Sequence, residues 1–124
     1  MKDCRIIICG GRDFRDRALF EQSLDSILKN YEDFTFVSGH AKGADTFAEE
    51  YARVHSIPVN VFKPDWKRYG KGAGPVRNRE MLAFAAEKTP VIIAFWDGKS
   101  KGTQNMLREA KELNAVCHLV MYEM

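Results

Sequence analysis

"CRIIICGGRDF", Cys4 to Phe14, is an apolar run that closes on a glycine pair. Cys4–Cys9 is nearly continuous apolar, with β-branched residues at its centre. A strand with one wet face alternates apolar and polar residues, and a strand covered on both faces does not. The run predicts a strand buried on both sides. Gly10 and Gly11 predict a sharp exit from it.

Outward from this stretch lie four more short runs: Phe34–Ser38, Ile57–Phe62, Pro90–Phe95 and Val116–Tyr122. The segments between them have helical spacing. Phe20, Leu24, Ile27, Leu28 and Tyr31 make one stripe, and Ala44, Phe47, Ala48, Tyr51 and Ala52 a second. Met81, Leu82 and Ala85, after Pro75, make a short third; Thr103, Met106, Leu107, Ala110 and Leu113 make the fourth. Such stripes pack on a sheet. The order βαβαβαβαβ predicts one α/β domain over 1–124, with a mostly parallel five-stranded sheet and helices on both faces.

Composition narrows the class. A chain of 124 residues, 45% hydrophobic and 29% charged, suits a single globular domain with its own core. The net charge of +2 is too small for a general nucleic-acid binder, so any positive field is local. The cysteines, Cys4, Cys9 and Cys117, form no CxxC. That argues against a disulfide framework or zinc site and for buried, reduced thiols in a cytoplasmic protein. No run is long enough for a membrane span, and nothing resembles a signal peptide. No metal or cofactor is expected.

In open parallel sheets, ligands bind beyond the carboxyl ends of the strands. The segments there are "GGRDF" (Gly10–Phe14), "GHAKGAD" (Gly39–Asp45), "PDWKRYGKGAGPVRN" (Pro64–Asn78) and "WDGKSKGT" (Trp96–Thr103). Every one carries glycine and a cation. The loops of the opposite edge, "NYED", "HS", "EKT" and "LNA", have no glycine. Glycine lets backbone N–H groups approach an anion, and helix starts add unsatisfied donors. Together the four loops predict a phosphate cradle.

Within it, Gly10, Gly11, Gly39, Gly43 and Ala44 offer backbone, and Arg12 and Arg77 offer guanidinium forks. Ser38, Asn78, Ser100, Gly102 and Thr103 offer hydroxyl, amide or N–H groups. Asp45 suits ribose hydroxyls or the dipole of a first helical turn, and both readings stand. Asp97 suits an acid, a ribose contact or a turn. Trp66 and Trp96 suit base stacking or structural anchoring, as does Phe14, for which a core position is favoured. His40 and Lys42 read as solvated. There is no GxGxxG after the first strand and no complete P-loop, which disfavours an ordinary NAD dehydrogenase or NTPase.

The set "CGGRDF", "SGHAKGADTFAEEYA", "DWKRYGKGAGPVRNREM" and "AFWDGKSKGTQNM" resembles the YspA-like (cpYpsA-related) family of the SLOG superfamily. That superfamily includes the Lonely Guy phosphoribohydrolases and DprA. The resemblance implies a Rossmann-like three-layer sandwich that binds nucleotides or nucleotide-derived molecules, in dimers or larger homo-oligomers. It matches Pro75, Arg77 and Asn78 to a "GPxRN" signature, and Ser100, Gly102 and Thr103 to the final phosphate loop. In the Lonely Guy enzymes that loop reads PGGxGTxxE; Met106 stands here in place of the catalytic Glu.

Three functions follow. The first is a sensor or sequestering module for an ADP-ribose-like or cyclic-nucleotide ligand. The second is a hydrolase of N-glycosidic or phosphoester bonds, with Asp45, Asp97 or Glu80 as base and Arg77 stabilising charge; no catalytic residue is assigned. The third is a single-stranded nucleic-acid module using Lys67, Arg68, Lys71, Arg77 and Arg79, which the near-neutral total charge disfavours.

Overall fold

The computed structural model describes residues 3–123. Its elements are β1 (Cys4–Gly10), α1 (Arg17–Ile27), β2 (Phe34–Ser38), α2 (Ala44–Val54), β3 (Val59–Val61), α3 (Trp66–Tyr69), α4 (Ala73–Ala86), β4 (Thr89–Trp96), α5 (Lys101–Glu112) and β5 (Val116–Met121). The strands form one sheet in the order β3-β2-β1-β4-β5, and every pairing is parallel. This is a Rossmann-like α/β sandwich.

The uninterrupted apolar character of β1 follows from its place at the sheet's centre. Ile6 and Ile8 face one layer, where they pack with Phe36, Val91, Ile93 and Phe95 under Phe14, Phe20 and Leu24. Ile7 faces the other, with Val37, Ile92 and Ala94 under Met81, Leu82, Met106 and Ala110. A polar residue at any of these positions would lie in one core or the other. Arg5 is tolerated near the strand's start because its guanidinium lies 3.7 Å from the Phe84 ring centroid and 3.1 Å from Glu87 Oε1. Phe14 is a core residue, its ring 4.9 Å from that of Phe95 and 4.7 Å from that of Tyr122.

Three expectations change. The stretch from Asp65 to Asn78 is not an open loop. Asp65 caps α3, a 3₁₀ turn spans Gly70–Gly72, and α4 starts at Ala73, ahead of Pro75. Pro75 fits because first-turn N–H groups have no partner inside the helix. The third strand shrinks to Val59–Val61, since Ile57 donates its N–H to Ala52 at the end of α2 instead. The thiols also differ: Cys4 is buried and Cys9 half-buried, but Cys117 is exposed, because it lies on the outermost strand. Among the described residues no helix is long and apolar enough to cross a membrane.

Candidate functional site

Strand order reverses direction between β1 and β4, and at such a switch point the flanking loops diverge and leave a crevice. A cleft of about 560 Å³ opens there. The β1 exit supplies Gly10, Gly11, Arg12 and Asp13; the β4 exit and α5 supply Asp97, Lys99, Ser100, Lys101, Gly102, Thr103 and Asn105. Trp66, Lys71, Gly74, Arg77 and Asn78 form the third wall, Asp45 comes from α2, and Cys9, Met81 and Met106 add apolar surface.

Ser38, Gly39, Gly43 and Ala44 do not line this cleft. They hold its walls from behind. A Cβ on Gly10 would sit 2.7 Å from both Ala44 Cβ and the Phe95 carbonyl oxygen, so β1 and α2 meet at near-backbone distance. Ala44 is accordingly fully buried. Gly43 has φ +82°, and a Cβ there would collide with the Gly11 carbonyl. The Gly39 carbonyl accepts from the Arg77 guanidinium. Ser38 is fully buried and its hydroxyl donates to Glu49 Oε2 at 2.8 Å. Sequence reading places these four in the cradle itself because a glycine needed for packing looks identical to one needed for a ligand.

The polar centre is a chain of side chains. Arg77 Nε donates to Asn78 Oδ1 at 3.2 Å, and Asn78 Nδ2 donates to Asn105 Oδ1 at 2.9 Å. The chain ties the β2 exit to α5. Burial lowers the Arg77 pKa, opposed by the nearby Asp45 charge. Asp45 Oδ2 accepts the Ala41 N–H at 2.9 Å. Burial is the largest influence on its carboxyl, which is pushed up to about 6 against the pull of the Ala41 N–H and of Arg77. Burial, and then the Asp45 charge, hold the Cys9 thiol far above its usual range, which keeps it protonated and inert. Asn105 escaped sequence reading, although Gly102 and Asn105 are three apart on α5 and so share its cleft face.

At the start of α5, Ser100 caps the helix by accepting from Thr103 N, and its hydroxyl lies 3.1 Å from Thr103 Oγ1. Asp97 Oδ1 accepts the N–H groups of Lys99 and Ser100, each at 2.8 Å. These donors hold its carboxyl below the usual range. That is a turn-forming role. Trp96 donates from Nε1 to the Ser100 carbonyl at 3.1 Å and so anchors the same turn. Trp66 instead stands 50% exposed at the cleft and presents an aromatic face. A Cβ at Gly74 or Gly102 would meet nothing within 4 Å, so backbone there is open to a ligand. Among the described residues no group of three His, Cys, Asp or Glu side chains is placed to hold a metal ion.

The model of the YAcAr family, the YspA, cpYpsA-related SLOG family, matches residues 4–69. The chain belongs to that family. It is also similar to the Gene 61 protein of Mycobacterium phage D29, at 32% identity over 114 residues, covering 87% of this chain and 89% of the phage protein. No solved structure matches the chain. The YAcAr match takes in the β1 exit, Asp45 and Trp66, whereas Arg77, Asn78 and the α5 turn lie beyond it. The two halves of the cleft are joined by the fold, through the side-chain chain running from Gly39 to Asn105. Membership in the SLOG family indicates nucleotide-related binding in general.

Proposed function

We propose that this YAcAr protein binds a nucleotide or nucleotide-derived ligand, of the ADP-ribose or cyclic-nucleotide kind, in the cleft between β1 and β4. It acts as a sensor or sequestering protein. The observation that carries the reading is the convergence of a half-exposed Trp66, the open N-terminus of α5 and the cations Arg12, Lys99 and Lys101 on one cleft. An aromatic face takes a base, and amides with cations take phosphate. Met106, 1% exposed in the cleft wall, presents a thioether where hydrolysis would want a carboxylate.

Isothermal titration with AMP, ADP-ribose, NAD and cyclic AMP tests the reading. Saturable heat with at least one of them is expected, and Trp66→Ala weakens it. A folded sample that gives no heat with any of the four sinks it. A second reading, hydrolysis at the same cleft, is favoured by the buried Asp45 carboxyl, whose pKa near 6 suits proton transfer. Chromatography of the nucleotides after incubation separates the two: intact ligands support binding, and products lost in Asp45→Asn support hydrolysis.

A further inference from the structure

A second arrangement of polar groups lies outside the cleft, at the exit of β2. His40 has φ +58°, a left-handed conformation that costs a β-carbon residue on the order of 1 kcal/mol. Hydrogen bonds hold it there. Its backbone N–H donates to Ser38 Oγ at 3.2 Å, and the Ser38 hydroxyl donates to Glu49 Oε2 at 2.8 Å. The imidazole Nδ1 lies 3.1 Å from the same Oε2 and 3.3 Å from Oε1. Ser38 is fully buried, so the carboxylate is anchored from inside the fold.

A carboxylate only accepts, so Nδ1 is the donor of this contact, and in the neutral ring the lone pair is then on Nε2. Among the described residues Nε2 has no partner. The ring lines a groove of about 580 Å³ together with Lys42, Thr46 and Arg53. Glu50, also in the groove, is taken by Arg17 at 2.8 Å. Lys42 and Arg53 pair with no carboxylate among the described residues. The groove thus joins an oriented ring nitrogen to two cations that no ion pair holds among the described residues, with Glu49 and Glu50 also in its lining.

We propose that His40, positioned by Glu49, is the general base of a phosphodiester hydrolase site in this groove, with Lys42 and Arg53 holding the phosphoryl oxygens. A diester carries a single negative charge. Two cations can neutralise it and leave phosphorus open to attack. His40 Nε2 takes a proton from water as the water oxygen bonds to phosphorus. The bond from phosphorus to the leaving alcohol's oxygen breaks, and the imidazolium returns the proton to that alkoxide. No metal or redox partner enters the balance. The inference stands apart from the cleft reading, because none of these four side chains lines the cleft.

The test is hydrolysis of bis(4-nitrophenyl) phosphate by the whole chain. His40→Gly keeps the turn, since glycine adopts positive φ freely, and the rate is expected to fall about 100-fold, the usual worth of a general base. Added imidazole then restores turnover in His40→Gly and leaves the unsubstituted protein unaffected. His40→Asn, which also tolerates the left-handed conformation, stays folded and inactive. Absence of hydrolysis by the unsubstituted protein, an undiminished rate in His40→Gly, or no restoration by imidazole overturns the proposal. Nucleotide titration into the cleft is unaffected by any of these outcomes.

Discussion

Asp45 is a carboxylate in an environment unusual for its type, almost fully buried. It sits in the first turn of α2, where a carboxylate normally gains from the helix dipole. Burial outweighs that gain and lifts its pKa to about 6. The sign follows from linkage. Between the ordinary carboxylate range and pH 6 the folded state binds more protons than the unfolded chain, so stability falls as pH rises through that window. Against Asp45→Asn, which cannot titrate, the unsubstituted protein should lose roughly 2 kcal/mol between pH 4 and pH 7. Urea unfolding of both proteins across that range measures it. A difference that stays constant with pH would show that the carboxyl titrates normally. Sequence reading singled out Asp45 and gave it three candidate roles, as ribose contact, helix-dipole partner or general base. It had no access to the depth of the site, because burial depends on the β1 exit packing over α2.

At the scale of elements, the glycines separate into two kinds that the sequence writes with one letter. Gly43 starts α2 with φ +82° and its missing Cβ makes room for the Gly11 carbonyl. Gly43→Ala strains the backbone and pushes the β1 exit away from α2, at an expected loss of about 2–4 kcal/mol. Gly102 lies inside α5 with nothing near its Cβ direction. Gly102→Ala should leave stability unchanged or raise it by about 0.5–1 kcal/mol, because alanine is the better helix former. It should also weaken nucleotide binding by filling the cleft. Thermal unfolding and titration calorimetry on the pair check both statements, and equal destabilisation by the two would refute the division. The strands were legible as short β-branched apolar runs and α1, α2 and α5 as amphipathic stripes, whereas α4 showed only the short set Met81, Leu82 and Ala85 after Pro75. The conversion of Asp65–Gly72 into α3 and a 3₁₀ turn was not legible, since its glycines and Lys67, Arg68 and Lys71 carry no apolar period.

Across the whole molecule, alternation along the chain made the parallel sheet legible, and with it the edge where the candidate cleft opens. What the linear order could not show is how charge is distributed. The cleft is lined by five cations, Arg12, Lys71, Arg77, Lys99 and Lys101, and three carboxylates, Asp13, Asp45 and Asp97. That surplus of two equals the net charge of the full chain, 19 Lys+Arg against 17 Asp+Glu, so the remainder of the protein is balanced. Lys67, Arg68 and Arg79, grouped with Lys71 and Arg77 by the nucleic-acid reading, lie outside the cleft lining. A surplus confined to a crevice suits one small anion and offers no extended track for a polynucleotide backbone, whose affinity grows with the number of phosphates neutralised. Two outcomes follow from that distribution. Fluorescence titration with oligo-dT at low salt should be flat, and ADP-ribose binding should persist to physiological salt with a shallow decline. Replacing Lys99 and Lys101 together by Glu inverts the local surplus and should abolish nucleotide binding without shifting the unfolding midpoint, because neither side chain makes an ion pair among the described residues. Tight, steeply salt-dependent oligo-dT binding would instead mean that the exposed cations of α3 and α4 act with those of the cleft as one surface.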